Sequence, residues 1–320
     1  MIMAWLLSGL GLLILLFAGD ALVKGAVNLS LRIGIPALIV SLTIVAFGTS
    51  APELLIAIQA ILDDVPGIAM GNVVGSNTAN ILLVLGIPAL LATMHTSECD
   101  TRKSFNHMIA ATLLFIALAY RGVFDWVASV VLLIALGAML FDAARDARAH
   151  RHADLAEATD DEEDLEGVDP DMPGWKIGMF LILGIVGLPL GASLLVDNAT
   201  IIAKEFGVSD TVIGLTLVAI GTSLPELATT VVAALRRQAD VALGNVIGSN
   251  MFNLLAIIGI TGLVGPIEVA PQFLRFDLWV MLGASLLLIP FVYLGQNITQ
   301  VWGLALSALY VTYLIVVLAA

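Results

Sequence analysis

Charged residues are scarce in this chain: 12% of its 320 residues are Asp, Glu, Lys or Arg, whereas 60% are hydrophobic. Soluble domains carry about 25% charged residues, so a soluble fold would leave too much apolar surface in water. A single cysteine, Cys99, excludes an internal disulfide. No Cys/His cluster has metal-ligand spacing, and the N-terminus lacks the basic segment of a cleavable signal peptide, so none is predicted.

Long apolar runs are abundant instead. A bilayer-spanning helix needs roughly 20 apolar residues, whereas the strands of a membrane barrel alternate over only about ten. The chain is therefore predicted to be an all-α membrane protein. Ten transmembrane helices are predicted, at residues 3–29, 36–62, 69–92, 105–121, 124–142, 175–203, 210–235, 241–264, 277–295 and 298–319.

The net charge of −13 is concentrated after the fifth predicted span, where Asp160–Asp164 are all acidic. Such a run is typical of a solvated linker, which divides the chain into a first half (1–142), an acidic loop (143–174) and a second half (175–320). With the N-terminus outside, ten of the thirteen Lys and Arg residues fall at cytoplasmic helix ends. This bias predicts that both termini lie outside and that the acidic loop is cytoplasmic.

The two halves contain an internal repeat. Residues 48–86 align with residues 221–259 at an offset of 173 without a gap, and 18 of the 39 positions are identical. Most identities are Gly, Ser, Thr, Asn, Pro or Glu, which two unrelated apolar helices would not share. Because each half has five predicted spans, the second half must enter the membrane in the opposite orientation. Inverted repeats of this kind are the sequence sign of a secondary transporter.

Each half places a glutamate, Glu53 or Glu226, in the middle of an apolar span directly after a proline, Pro52 or Pro225. An acidic residue at that depth is costly unless it faces a cavity, a partner or an ion. No Lys or Arg lies at matching depth, so a cation ligand is the favoured interpretation over a structural ion pair. Each proline should break its helix and release backbone carbonyls, which are suitable ligands for Na⁺ and Ca²⁺.

Further oxygen-bearing side chains are expected to face the same region. Thr49 and Thr222 lie one helical turn before the glutamates and share their helix face. The next span carries a polar stripe in each half, formed by Asn72, Ser76 and Asn80 and by Asn245, Ser249 and Asn253. Ion contact is favoured for Ser76, Asn80, Ser249 and Asn253. A purely structural hydrogen bond to a neighbouring helix is equally compatible with the pattern at Asn72, Asn77, Asn245 and Asn250.

Charge indicates the substrate. Two carboxylates match one Ca²⁺, which takes six to eight oxygen ligands, and the same oxygens could hold Na⁺ instead. If both ions need Glu53 and Glu226, they exclude each other, which is the basis of exchange. The absence of thiolate and imidazole ligands argues against Zn²⁺ or Cu⁺.

These motifs carry a family resemblance. GTSAPE…GNVVGSNTAN and GTSLPE…GNVIGSNMFN resemble the two α-repeats of the sodium/calcium exchanger family, within the cation/calcium exchanger superfamily, and the chain looks like a prokaryotic-type member. The resemblance covers the full length. It implies residence in the prokaryotic cell (inner) membrane, helices two and seven broken at proline, and long first and sixth spans that slide over the core to alternate access.

The resemblance also implies four ion sites between spans two, three, seven and eight. The calcium site would use Glu53, Glu226 and the backbone oxygens of Thr49 and Thr222, with Asn80 and Asn253 flanking the centre. The implied sodium ligands are Ala46, Thr49, Ser50 and Ser76 in one half and Ala219, Thr222, Ser223 and Ser249 in the other. One departure is Asn253, where many relatives carry Asp; it leaves two formal negative charges and makes potassium dependence less expected.

The leading interpretation is thus a Na⁺/Ca²⁺ antiporter. A Ca²⁺/H⁺ antiporter is the nearest alternative, because a buried carboxylate can titrate, and a passive calcium channel is a weaker one. An enzyme is not expected, since no Ser/His, paired Asp or zinc constellation is present at depth. No cofactor, nucleic acid or obligatory protein partner is predicted; the partners are the transported ions and the lipid bilayer, and a monomer is compatible with the sequence.

Overall fold

The structure, a computed structural model, describes residues 1–154, 169, 171–207 and 219–319. Within these residues the fold is mostly helical. The helices are α1 (Ile2–Ile33), α2 (Ala37–Thr49), α3 (Ala51–Leu62), α4 (Pro66–Leu91), α5 (Arg102–Ala119), α6 (Trp126–Asp154), α7 (Gly174–Glu205), α8 (Ala219–Thr222), α9 (Leu224–Leu235), α10 (Ala239–Val264), α11 (Phe273–Tyr293) and α12 (Gln300–Ala319). The predicted all-α fold needs one addition, an antiparallel pair of two-residue strands, β1 (Val123–Phe124) and β2 (Ile267–Glu268).

Among the described residues, seven helices are long and apolar enough to cross a membrane, namely α1, α4, α6, α7, α10, α11 and α12, and the bent pair α2–α3 makes eight. The predicted span 105–121 corresponds to α5, which is not among these eight, and the predicted span 210–235 falls partly on residues 208–218, which lie outside the described chain. Helix α6 continues to Asp154, into the segment predicted as a loop, because its last turns are rich in Ala and Arg, which favour helix.

Side-chain exposure separates the helices into two groups. Helices α1, α6 and α12 expose large apolar side chains, such as Phe17 (73% exposed), Phe141 (72%) and Val301 (76%). Helices α4 and α10 are almost wholly buried, and their Met70 and Ile247 are completely enclosed. A helix that is apolar on its outer face has lipid as its natural solvent, so the exposed group surrounds a core built around α4 and α10.

Helices α2 and α3 meet at an angle of 42°. The break lies at Ser50, two residues before Pro52, and the equivalent break between α8 and α9 lies at Ser223, two residues before Pro225. The two serines have nearly the same backbone angles, with φ/ψ of −86°/4° and −90°/4°. Each proline lacks the N–H that would continue the helix. The Pro-Glu dipeptide therefore accompanies the same interruption in both halves.

Backbone turns recur at the offset found in the sequence. The described residues with positive φ form three pairs separated by 173 positions, namely Gly34 with Gly207, Asp64 with Arg237, and Gly122 with Gly295. A π-helical turn at Asn80–Val84 of α4 likewise matches one at Phe252–Ile257 of α10. The similarity of the halves therefore extends to backbone geometry and reaches well beyond the 39 aligned residues.

Contacts between loops connect helix ends from the two halves. Met94, after α4, pairs with Ile298, before α12, through N–H···O bonds of 3.0 and 3.1 Å. The Arg32 guanidinium at the end of α1 donates to the Met172 carbonyl before α7 (3.1 Å), and β1 pairs with β2. Each contact joins two segments that the predicted topology places on the same side of the membrane.

Helices α1 and α7 pack against each other through glycines. A Cβ atom on Gly184 would lie 2.5 Å from the Leu22 Cβ, and one on Gly187 would lie 2.8 Å from the Ala18 Cβ. Real Cβ contacts are much longer, so only glycine allows the two helices to lie this close.

Helices α4 and α10 are joined by buried amides. The Asn77 side-chain amide donates to the Asn250 carbonyl (3.1 Å), and the Asn250 amide donates to the Asn77 carbonyl (3.4 Å). The Asn80 amide also donates to Asn250 Oδ1 (3.0 Å). These bonds link the two halves at equivalent positions, which supports the structural interpretation of Asn77 and Asn250.

Replacing Gly184 by Ala should destabilise the protein by about 1–3 kcal/mol, because the added methyl group overpacks the contact with Leu22. The measurement is thermal unfolding of purified protein in detergent. Gly178→Ala is the matched control, since it gives α7 the same gain in helix propensity and a Cβ there has nothing within 4 Å. Equal melting temperatures for the two variants would contradict the close packing of α1 on α7.

Asn250→Ala should lower the free energy of unfolding by about 1–3 kcal/mol for each buried group it leaves without a partner, chiefly the Asn77 carbonyl and the Asn80 amide. Thermal unfolding in ion-free buffer would measure it. Asn106→Ala is the control, because Asn106 is exposed and water can replace the bond from the Tyr293 hydroxyl. A loss no larger than that of the control would show that the α4–α10 amide bonds contribute little.

Candidate functional site

Both helix interruptions deliver a glutamate to the protein interior. Glu53 lies in the first turn of α3 and is 1% exposed, and Glu226 lies in the first turn of α9 and is fully buried. The two carboxylates are close enough for their charges to repel each other. The Ser50 hydroxyl, from the first half, donates to Glu226 Oε1 at 3.2 Å. The glutamates of the two halves therefore lie in one region of the interior, and neither faces lipid.

Hydroxyl groups surround Glu226. Thr49, Ser50 and Ser249 all place hydroxyls beside its carboxylate. Thr49 Oγ1 also lies 3.4 Å from Ser249 Oγ and donates to the Ala46 carbonyl at 3.2 Å. Three of the predicted ligands are thereby brought together around one carboxylate, with side chains from both halves.

Two asparagines hold the backbone at the glutamates. The Asn72 amide donates to the Glu53 carbonyl and the Asn245 amide donates to the Glu226 carbonyl, each at 3.3 Å. Asn245 Oδ1 accepts a bond from the Thr49 hydroxyl (3.3 Å). The role that the sequence left open for these two asparagines is structural in this arrangement, because they fix the peptide groups that carry the glutamates.

Several buried oxygens at the centre have no hydrogen-bond partner within the described part of the chain. They are both carboxylate oxygens of Glu53, Oε2 of Glu226, Oγ of Ser223, and Oδ1 of Asn80 and of Asn253. Buried polar groups are normally hydrogen-bonded, and an unpaired buried carboxylate is especially costly. The Asn253 amide nitrogen and the Ser223 hydroxyl can donate, but the other members of the group are acceptor oxygens without a described donor, which suits a cation.

The remaining predicted site residues lie around this group. Ser76 is buried on α4, and Ala46 packs under Gly248, where a Cβ would lie 2.6 Å from the Ala46 Cβ. Thr222 is half-buried at the end of α8. Ala219 is the first residue of α8, and its side chain lies outside the described atoms.

A cavity of about 200 Å³ lies beside both helix breaks. Pro52, Thr222 and Pro225 line its inner side, and Ser193 and Asp197 of α7 line its outer side. The sequence motifs did not include these two α7 residues. Extending the repeat alignment upstream would have marked Asp197, because it aligns with Lys24, a residue of opposite charge.

The equivalent region of the first half is closed. A Cβ on Gly19 of α1 would lie 3.2 Å from the backbone carbon of Ala228 on α9, so the helices touch. One residue further along α1, Asp20 forms an ion pair with Arg236. The two halves thus differ, because a cavity adjoins the helix breaks beside α7, whereas helix contacts fill the equivalent place beside α1.

Comparisons with known proteins agree with this geometry. A family model described as "Sodium/calcium exchanger protein" matches residues 3–141 and 176–319. The sodium/calcium exchanger MaX1 of Methanosarcina acetivorans is 35% identical over 344 residues, covering 96% of each chain. Inner membrane protein YrbG of Escherichia coli is 34% identical over 290 residues, covering 90% of this chain and 88% of that protein.

Solved structures give the same result. The sodium-calcium exchanger NCX_Mj soaked with Na⁺ and Sr²⁺ superposes with a TM-score of 0.82 and 30% identity, covering 100% of this chain and 99% of the other. NCX_Mj soaked with zero Na⁺ and Ca²⁺ also gives a TM-score of 0.82, covering 99% of both chains. With its matching motifs, its oxygen-lined centre and these relatives, the chain belongs to the sodium/calcium exchanger family of integral membrane antiporters.

Proposed function

We propose that this protein exchanges Na⁺ for Ca²⁺ across the membrane by alternating access. The observation that carries the proposal is the pair of buried glutamates, Glu53 and Glu226, with three of their four carboxylate oxygens lacking a described hydrogen-bond partner. The names of MaX1 and NCX_Mj support Na⁺ and Ca²⁺ as the two exchanged ions, since both proteins are called sodium/calcium exchangers.

In this proposal Ca²⁺ is held by the carboxylates of Glu53 and Glu226 and by the backbone oxygens of Thr49 and Thr222. Two carboxylates supply the charge that neutralises one divalent ion. Ca²⁺ prefers six to eight oxygens, which these groups and water can provide. The helix breaks support the backbone ligands, because Pro52 and Pro225 cannot donate to the carbonyls of the preceding turn.

Sodium occupies neighbouring oxygens. Its proposed ligands are the oxygens of Ala46, Thr49, Ser50 and Ser76 in the first half and of Ala219, Thr222, Ser223 and Ser249 in the second. Asn80 and Asn253 flank the central position through their side-chain oxygens, which have no described donor. Because the Na⁺ and Ca²⁺ positions share Thr49 and Thr222, the two loads exclude each other.

The proposed topology has ten spans in two inverted halves, 1–142 and 175–320, joined by an acidic cytoplasmic segment, with both termini outside. The paired backbone turns support the repeat, since Asp64 and Arg237 adopt φ of 59° and 57° at equivalent corners. The opposite charge of these corners supports the inversion. The loop contacts support the proposed placement of the loops on the two sides of the membrane. The name of YrbG, an inner membrane protein, supports location in an inner membrane.

The difference between the two halves supports alternating access. The cavity beside Thr222 is the proposed route from the outer side, and the contact of Gly19 with Ala228 closes the inner route. If the packed pair α1 and α7 slides over the core, the outer route would close and the inner route would open. The glycine contacts support this, because they let α1 and α7 move as one unit.

The function is tested with purified protein in liposomes, by following Ca²⁺ uptake under one imposed gradient at a time. We expect uptake when the lumen holds Na⁺ and the outside does not, and no uptake when a sodium ionophore has removed that gradient. Uptake driven by a pH gradient alone would identify a Ca²⁺/H⁺ antiporter. Uptake that needs neither gradient would identify a channel.

Glu53→Gln and Glu226→Gln should each reduce sodium-driven Ca²⁺ uptake by about 100-fold or more, because removing one charge from a buried ionic contact costs on the order of 3 kcal/mol. The substitution keeps the shape of the side chain, so the melting temperature without ions should not fall. Glu268→Gln is the control, since Glu268 is exposed on β2. Normal uptake by either variant would remove that glutamate from the ion site.

A further inference from the structure

The cavity beside the site has a charged mouth. Its inner wall is formed by the helix breaks at Pro52 and Pro225, and its outer wall carries the exposed side chains of Ser193 and Asp197 on α7. The Ser193 hydroxyl donates to Asp197 Oδ2 at 3.2 Å. No Lys, Arg or His of the described chain forms an ion pair with Asp197, so its charge is not neutralised by a neighbouring cation there.

The helix face of α7 that lines the cavity gives this carboxylate its position. Pro189 lies inside α7 and itself lines the cavity. Asp197 is two helical turns further on, and Ser193 lies between them, so the three residues share one face of the helix. This face of α7 therefore extends from Pro189 in the cavity wall to the carboxylate of Asp197.

The matching position of the first half carries the opposite charge. Asp197 corresponds to Lys24 at the repeat offset of 173, and Ser193 corresponds to Asp20. Lys24 covers the ring of Phe180 on α7, with its Nζ 5.7 Å from the ring centroid, and Asp20 is paired with Arg236. Among the described residues, the second half therefore presents an unneutralised carboxylate to the cavity, whereas the matching positions of the first half do not.

We propose that Asp197, positioned by Ser193, is an entry residue that attracts cations into this cavity and raises the rate at which Ca²⁺ reaches Glu53 and Glu226. The inference rests on the proposed function and adds a residue to it that lies outside the ion-binding centre. Clefts lined by one sign of charge raise the local concentration of the opposite ion. A divalent ion experiences twice the attraction of a monovalent one, so the effect is greater for Ca²⁺ than for Na⁺.

Asp197→Asn should raise the Ca²⁺ concentration for half-maximal uptake by about fivefold, the effect of one charge on a divalent ion at a water-filled mouth. Maximal uptake at saturating Ca²⁺ should stay unchanged, because the central ligands are intact. Raising choline chloride from low to about 1 M should remove the difference, because the screening length falls to about 3 Å. A merely structural role for Asp197 would lower the maximal rate and would not respond to salt.

Asp63→Asn is the matched control, because Asp63 is exposed at a corner on the same predicted side and does not line the cavity. It should leave half-saturation unchanged. An equal shift for Asp63→Asn and Asp197→Asn would reduce the effect to general surface charge and overturn the assignment. Sodium-driven uptake by the wild type with no shift for Asp197→Asn would overturn the entry role and leave the exchange function standing; no uptake by the wild type would overturn the exchange function itself.

The charge can also be restored chemically. Cys99 is the single cysteine of the chain, so Asp197→Cys in a Cys99→Ser background offers one reactive thiol at the cavity mouth. Labelling with a membrane-impermeant sulfonate-bearing thiosulfonate should return half-saturation towards the wild-type value. Labelling with the trimethylammonium reagent of similar size should raise it further. The same response to both labels would show that bulk rather than charge matters, which would contradict the proposal.

Discussion

Two carboxylates of like charge lie together in an interior that is otherwise apolar, and the rest of the structure accommodates that fact. Removing one ionised carboxylate from water is costly, and repulsion from the second adds to the cost. The described ion pairs of the chain use other acids, such as Asp20 with Arg236 and Asp125 with Arg121. No described protein cation offsets Glu53 and Glu226, so the compensating charge, a metal cation or a proton, has to arrive from outside the chain.

The surrounding polar groups supply rigidity and acceptors rather than positive charge. Asn72 and Asn245 fix the carbonyls of the two glutamates, and Asn77 and Asn250 join the helices that carry the polar stripes. Amides used in this way keep the peptide framework in place without neutralising the carboxylates. The rigid part of the molecule is therefore α4 with α10, whereas α1 and α7 touch each other through small residues and lie outside it.

Much of this arrangement could be predicted from the sequence, because the information is local or repeated. The glutamates, the prolines and the offset of 173 are visible in 39 aligned residues, and burial of a charged residue in an apolar helix has few explanations. The ends of the helices were harder to predict from the sequence. The breaks fall at Ser50 and Ser223, since a missing proline N–H disturbs the preceding turn, and the strands β1 and β2 are too short to leave an alternating pattern.

Other features depend on distant contacts and could not be read from spacing. Whether Asn77 and Asn250 face an ion or each other depends on how α4 crosses α10, and the sequence left both possibilities open. Asp197 lies outside the motifs that the sequence pattern singles out. Its importance comes from the cavity, which α7 lines together with the two helix breaks, whereas α1 touches α9 at the equivalent place in the first half.

The same buried charge explains why exchange rather than leak is expected of such a centre. Without a cation, Glu53 and Glu226 would carry two negative charges through the apolar interior whenever access changed sides, and the free energy of that step is high. In the proposed exchange, one Ca²⁺ would cancel both charges, and Na⁺ ions at neighbouring oxygens would do the same. Reorientation would then be favourable only for a loaded site, which would couple inward movement of one ion to outward movement of the other. On this proposal the coupling arises from electrostatics at the glutamates.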